Sequence, residues 1–220
     1  MRTIRALTIA AAVVAAIPTM SFAQSGRQFH DAWFWGVKAG GLTVADSGQA
    51  YTQAPLAGIE WLITRKHGGV YVSAAQAFIT SQAFIFRDPA QPDSGERIVD
   101  LKNLRRVDVA IMGFPGEHLR FHPYAGIGMA MTQVADAQPQ APFGTSDQYT
   151  YAQQVIQENK VAFSPLLMAG AQYQMSRFSV FGQGSISPAQ EKFLMYHGRP
   201  WNFTYEVGLR YNVGSSIEKN

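Results

Sequence analysis

The chain has 220 residues, of which 47% are hydrophobic, 12% aromatic and 15% charged, and it contains no Cys. This length supports one sizeable core or two small domains. Soluble globular chains are about 25% charged, so the low charged content argues against a disordered protein and against a nucleic-acid binder. The formal net charge of +3 implies no strongly charged partner, and without Cys no disulfide framework supports the fold.

Residues 1–23 have the pattern of a secretory signal peptide. Arg2 and Arg5 form a positive start, an unbroken run of small and apolar residues follows, and a small-x-small cleavage pattern ends at Ala23. The apolar run is too short for a membrane helix, which needs about 20 residues. We therefore expect export and removal of this segment, and a mature chain 24–220 that forms a single domain with a short C-terminal tail.

The mature chain is dominated by runs in which apolar and polar residues alternate, and no long run has helical spacing. Alternation is typical of β-strands whose two faces meet different media. The clearest run spans 201–213, where aromatic and aliphatic residues alternate with polar residues or Gly. The pattern predicts eight strands, at 33–43, 55–64, 69–85, 97–114, 119–132, 161–175, 178–187 and 201–213.

The connections between these strands alternate strictly between short and long. Strands two, four and six are followed by short turns, whereas the other connections are longer and include 88–96, 133–158 and 188–200. Barrels of the bacterial outer membrane have an even number of strands, short periplasmic turns and long external loops. We therefore predict an all-β, eight-stranded antiparallel up-and-down transmembrane β-barrel, with the long loops available to a surface partner.

Alternation alone does not show which face is turned inward, because a soluble lipocalin-like barrel also alternates, with its apolar face around a ligand. Two features favour the membrane. The polar face is mostly Gly, Asn, Ser, Thr and Gln, whereas an exterior facing water would be rich in Lys and Glu. Aromatic residues also gather near strand ends, where membrane barrels carry aromatic girdles. These residues are Trp33, Trp35, Phe114, Tyr124, Tyr173, Phe178, Trp201 and Tyr211.

The few charges on the polar face nearly cancel. The three cations are Lys38, Arg106 and Arg210, and the three anions are Glu60, Asp108 and Glu206. An eight-stranded barrel is filled by its own side chains, and an unpaired buried ion costs several kcal/mol. We therefore expect these six residues to form a structural charge network in the lumen. In the alternative interpretation, they lie near strand ends in water and never meet.

A family resemblance follows from short motifs. The segment 121–129, FHPYAGIGM, resembles the Pro-Tyr-x-Gly-x-Gly strand of small outer-membrane β-barrel proteins of the opacity and OmpA-like types, and 33–41 is similar to their first strand. The resemblance implies location in the bacterial outer membrane, contact with its lipid and insertion by the barrel assembly machinery, without a cofactor. Such chains usually end at an aromatic residue, but here 215–220 follow Val213, so that assembly signal is internal or weakened.

The sequence indicates no catalytic, cofactor-binding or metal-binding residues. Outer-membrane lipid A deacylases pair a strand His with a Ser two residues on, but His122 is followed at that spacing by Tyr124. We interpret His122 as a partly wet residue at a strand end. The sequence therefore favours a structural or surface-interaction protein rather than an enzyme. The alternatives are a narrow channel, then a lipid-modifying enzyme of the outer membrane, then a soluble periplasmic ligand-binding barrel.

Overall fold

The computed structural model describes residues 29–45, 51–87, 96–115, 120–140, 143–194 and 201–216. The predicted signal peptide lies outside these residues. The strands are β1 (Ala32–Ala45), β2 (Tyr51–Thr64), β3 (Gly68–Arg87), β4 (Glu96–Gly113), β5 (Phe121–Pro139), β6 (Val161–Met175), β7 (Phe178–Pro188) and β8 (Trp201–Ser215). A helix, α1 (Ser146–Asn159), lies between β5 and β6.

The strands form a closed barrel in sequence order, with antiparallel pairing between all neighbours. Closure is made by β1 and β8, which pair from Ala32 opposite Ser215 to Thr43 opposite Phe203. Every strand therefore has a partner on both sides over part of its length, although the far ends of β3 and β5 pair only with β4. The predicted all-β, eight-stranded antiparallel up-and-down architecture is confirmed.

We call the end of the barrel where β1 joins β2, β3 joins β4, β5 joins β6 and β7 joins β8 the long-loop end. At this end the strands extend further than the sequence predicted. β2 begins at Tyr51 rather than at 55, and β5 continues to Pro139 rather than ending at 132. The polar residues beyond 132 suggested a loop, but Val134 points inward and is buried. The strict alternation of loop lengths was wrong, because the connection 46–50 is shorter than the connection 114–120.

The predicted loop 133–158 contains α1, which the sequence analysis missed. The helix begins after Thr145, whose hydroxyl accepts a hydrogen bond from the backbone N–H of Gln148 at 3.3 Å. Ala152 and Ile156, four residues apart on one helical face, are buried. In the described parts of the chain, no helix is long and apolar enough to cross a membrane.

The outer surface of the barrel is apolar. Ile111, Ile127 and Val207 are each more than 60% exposed although they lie within strands. Five of the predicted girdle aromatics are exposed, namely Trp33, Trp35, Tyr173, Trp201 and Tyr211. Phe114 and Tyr124 were wrongly assigned to the girdle, because both are buried inside the barrel. For Tyr124 the reason is strand parity, since its neighbour Ala125 faces outward.

Side chains fill the lumen in three layers. Near the short turns lies a floor cluster, which includes Phe29, Phe34, Leu62, Met112 and Phe114. Near the long loops lies a roof cluster, which includes Leu42, Leu56, Leu101, Leu104, Val134, Phe193 and Leu194 together with Ile156 of α1. The charged residues of β1, β2, β4 and β8 lie between these two apolar layers.

Candidate functional site: the charged layer of the lumen

All six predicted lumen charges face inward and are buried. They are Lys38 on β1, Glu60 on β2, Arg106 and Asp108 on β4, and Glu206 and Arg210 on β8. None is more than 5% exposed. We call these six residues, with the neutral side chains that join them, the charged layer.

The first ion pair joins β1 to β8. Lys38 Nζ lies 2.8 Å from Glu206 Oε1 and 3.9 Å from Asp108 Oδ2. It also donates to Ser73 Oγ on β3 at 3.0 Å. Gly58 and Gly208 stand beside Lys38 on the two neighbouring strands. A Cβ at Gly58 would lie 2.4 Å from the backbone oxygen of Ala74, and one at Gly208 would lie 2.2 Å from that of Val37, so both glycines allow neighbouring strands to approach closely.

The second ion pair lies on β4 itself. Arg106 Nε donates to Asp108 Oδ1 at 2.8 Å, and the two residues point inward because they are two apart on one strand. Ser73 Oγ donates to Asp108 Oδ2 at 3.3 Å while accepting from Lys38. The hydroxyl of Ser73 therefore joins the first pair to the second.

The third ion pair joins β8 to β2 across β1. Arg210 Nε donates to Glu60 Oε1, and both residues are paired in register with Gly36, which lies between them. A Cβ at Gly36 would lie 2.9 Å from both Cγ and Oε1 of Glu60, closer than real Cβ contacts. The absence of a side chain at Gly36 is therefore what allows this pair to form.

Tyr71 and Gln183 connect the first pair to the third. The Tyr71 hydroxyl donates to Glu60 Oε2 at 3.1 Å and accepts from Lys38 Nζ at 3.2 Å. Gln183 Nε2 donates to Tyr71 Oη at 2.9 Å and to Glu206 Oε2 at 2.6 Å. All six charges thus belong to one hydrogen-bonded network. Sequence reasoning missed both connectors because they are neutral, although the alternation of their strands places them on the inward face.

Arg210 is held by several side chains besides Glu60. Its Nη1 donates to Gln172 Oε1 at 2.5 Å, and its guanidinium carbon lies 3.9 Å from the centre of the Phe181 ring. Tyr124, which was expected at the membrane interface, instead donates to Gln183 Oε1 at 2.9 Å. A fully buried guanidinium needs such partners, because taking a charge out of water costs several kcal/mol.

His122 was predicted to be partly wet, and that interpretation was wrong. The residue is 4% exposed, and its ring stacks on Phe29 with 3.8 Å between centroids and an interplanar angle of 10°. The reason is the segment before β1, which brings Phe29 into the short-turn end of the lumen. Within the residues that the structure describes, no group of three or more His, Cys, Asp or Glu side chains could hold a metal ion.

The closed eight-stranded topology with a side-chain-filled lumen can be compared with solved structures. The chain is similar to Neisserial surface protein A, with a TM-score of 0.51 and 10% identity over 81% of this chain and 96% of that one. This likeness decides the fold. The protein has the fold of a small outer-membrane β-barrel.

Two further solved barrels match with lower scores. Ail, the attachment invasion locus protein of Yersinia pestis, gives a TM-score of 0.49 at 13% identity over 84% of this chain and 99% of that one. The N-terminal β-barrel domain of Pseudomonas aeruginosa OprF gives 0.46 at 11% identity, over 84% and 99%. No family model matches the sequence. No curated protein matches it either.

Of the three loop regions predicted to meet a partner, most of 88–96 and the second half of 188–200 lie outside the described residues. The third region carries α1, which packs on the roof cluster through Ile156 and exposes Tyr149 and Tyr151. The closed eight-stranded topology and the likeness to a solved barrel confirm the fold that the sequence motifs implied.

Proposed function

We propose that this protein is a bacterial outer-membrane β-barrel with a closed lumen, which has a structural or surface-contact role through the elements at its long-loop end. The observation that carries the proposal is the charged layer. Lys38, Arg106 and Arg210 are neutralised by three carboxylates inside a barrel whose exterior is apolar. Such a lumen is packed rather than open.

The outward face supports residence in a membrane. Along β4, Val109 and Ile111 are exposed apolar residues, and the same face becomes polar at Arg105, which pairs in register with Gln76 on β3 and Gln133 on β5. An apolar band bounded by a polar row is typical of a barrel surrounded by lipid. A soluble ligand-binding barrel would turn this apolar face inward.

Closure of all strands also supports insertion in lipid. Within the hydrocarbon, every backbone donor and acceptor must pair inside the protein, and a closed barrel achieves this. In the proposal, the chain is exported through its signal peptide 1–23 and inserted by the barrel assembly machinery. No catalytic step and no cofactor are part of the proposed function.

The surface role is proposed for the long-loop end. α1 buries one face on the roof cluster and leaves Tyr149, Tyr151, Gln154 and Gln157 exposed. The packing of Ile156 on the roof cluster attaches the helix to the barrel, so these side chains are presented from the end of the barrel. Loops and loop elements on rigid scaffolds are where binding functions concentrate.

Cell fractionation followed by gel electrophoresis with and without boiling tests the proposal. We expect the protein in the outer-membrane fraction, with a mobility that changes on boiling because the closed barrel resists detergent until heated. Release with the soluble periplasm would contradict the proposal. A protein of the inner-membrane fraction prepared from the same cells serves as the control for cross-contamination.

A further inference from the structure

Three buried polar atoms at the short-turn side of the charged layer have no hydrogen-bond partner in the protein. They are Gln172 Nε2, Gln174 Oε1 and Ser179 Oγ. The three residues are 1%, 4% and 0% exposed. A buried polar group without a partner has lost its hydrogen bonds to water and gained none in return, so a cluster of three calls for a physical explanation.

Rotation of the amide groups does not remove the problem. Arg210 Nη1 donates to Gln172 Oε1 at 2.5 Å, and Gln174 Nε2 donates to the backbone carbonyl of Ser176 at 3.1 Å. Turning either amide would place donor against donor or acceptor against acceptor. The open groups are therefore one N–H donor, one carbonyl acceptor and one hydroxyl that can do both.

The strand register places these three residues side by side on the inner face of the barrel. Gln174 and Ser179 are directly opposite each other on β6 and β7, and Gln172 is the next inward residue on β6. Directly opposite Cβ atoms are about 4.5–5.5 Å apart and diagonal ones about 7–8 Å. Ser179 is in turn opposite Arg210 on β8, so the three residues adjoin the charged layer.

We propose that Gln172, Gln174 and Ser179 form a binding site for an internal water in the lumen. A water at this position accepts from Gln172 Nε2, donates to Gln174 Oε1 and exchanges a hydrogen bond with Ser179 Oγ. Buried waters typically make about three such bonds. The site extends the hydrogen-bonded network of the lumen from Arg210 towards the short turns.

The mixture of donors and acceptors selects water over an ion. A cation would find two oxygen atoms but would lie beside the Arg210 guanidinium. An anion would face the carbonyl oxygen of Gln174, and Arg210 already pairs with Glu60. A neutral molecule that both donates and accepts is the occupant that this set of groups satisfies.

The floor cluster separates this site from bulk solvent. Phe29 stacks on His122, which is paired in register with Gln172, and the Phe29 ring meets Phe114 edge-on with 4.9 Å between centroids. The water therefore exchanges only when the barrel end opens, and it should reside far longer than surface water.

A crystal structure of the full chain at a resolution that shows ordered waters tests the site. We expect a density peak within about 3.2 Å of Gln172 Nε2, Gln174 Oε1 and Ser179 Oγ. The proposal is overturned if those side chains bond directly to one another, if the space between them holds no density, or if the density belongs to an ion or an additive.

Solution NMR of the folded barrel in detergent gives a second readout. We expect a cross-peak between water and the Gln172 side-chain amide in a rotating-frame Overhauser experiment. In that experiment dipolar transfer and proton exchange give peaks of opposite sign, and the sign should be that of dipolar transfer. Ser179→Val, which removes the hydroxyl and fills space, should abolish this transfer. Ser187→Val, an inward and buried position on the same strand, should leave it unchanged. No transfer in the folded wild type, or equal transfer in Ser179→Val, would overturn the site.

Discussion

The charged layer and the roof cluster close the same lumen by opposite means. In the charged layer, each group depends on named partners from other strands, as Lys38 depends on Glu206 and Ser73. In the roof cluster, Leu42, Leu101 and Ile156 need only apolar neighbours. The first region is specific and intolerant of the loss of one member, whereas the second should lose stability in proportion to the volume removed.

The charged layer and the roof cluster also differ in their need for residues without side chains. The charged layer needs Gly36 at a fixed register position, because the Glu60 side chain occupies the space that a Cβ there would take. The roof cluster is filled from several elements, including a helix that belongs to no strand pair. Substitutions in the two regions should therefore differ in how much stability they cost and in how local their effect is. They should also differ in whether a second substitution can restore the lost stability.

The largest effect is expected from Arg210→Met. This change leaves Glu60 charged and buried without its partner, and breaking a buried pair costs about 3–5 kcal/mol. The free energy of unfolding should fall by that amount in urea titrations of the barrel in lipid vesicles. In the double variant Glu60→Gln/Arg210→Met, part of the loss should be recovered, and a double variant less stable than Arg210→Met would contradict the pairing. Arg105→Met, at an exposed cation, is the control.

Ile156→Ala should give a smaller and local effect. Removing the side chain leaves a cavity between α1 and the roof cluster, with an expected loss of about 2–3 kcal/mol. Because the strands keep their pairing, the loss should appear as faster protease cleavage within 143–160 while the heat-modifiable barrel remains. Gln154→Ala, on the exposed face of the helix, should not change cleavage. Equal cleavage of the two variants would show that Ile156 does not hold the helix.

Gly36→Ala tests whether the ion pair between Glu60 and Arg210 requires a residue without a side chain at position 36. The added Cβ would lie 2.9 Å from Glu60 Cγ and 2.9 Å from the backbone oxygen of Leu209. We expect a loss of about 1–2 kcal/mol in the free energy of unfolding, because Glu60 must move away from Arg210. Gly182→Ala is the matched control, since an added Cβ there meets nothing within 4 Å. The steric account fails if the two substitutions have the same effect.

The smallest effect is expected from Thr145→Ala. The change removes the hydroxyl that caps α1, which costs about 1 kcal/mol of helix stability. Amide hydrogen exchange should accelerate in the first turn of α1 and stay unchanged in the strands. Thr145→Ser keeps the capping oxygen and should behave as the wild type.

The alternation of the sequence predicted the strands, the closure and the inward face, because side-chain parity is a local property. It located the six lumen charges but not the partners that each would choose, since these depend on the register of strands far apart in sequence. Tyr71 and Gln183 carry no charge, so the balance of charges on the polar face did not indicate that they belong to the network. The parity of β5 could have placed Tyr124 inside the barrel, because Ala125 and Ile127 form the outward face.

The helix α1 could not be predicted from hydrophobic periodicity. Only Ala152 and Ile156 are buried among its 14 residues, and the remaining positions are mostly polar. A helix of this composition gains its stability from packing on the roof cluster, and that cluster exists only once the barrel has closed. His122 was misjudged for a related reason, because its stacking partner Phe29 comes from a segment before the first strand.

Planar-bilayer recording of the refolded, heat-modifiable protein tests the central claim that the lumen is closed by its own side chains. The charged layer predicts no reproducible conductance steps from the wild-type barrel, with a known open porin as the positive control for the bilayer. Stable unitary steps from the wild type, altered in size by Lys38→Met, would show that ions pass through the layer and would contradict the account.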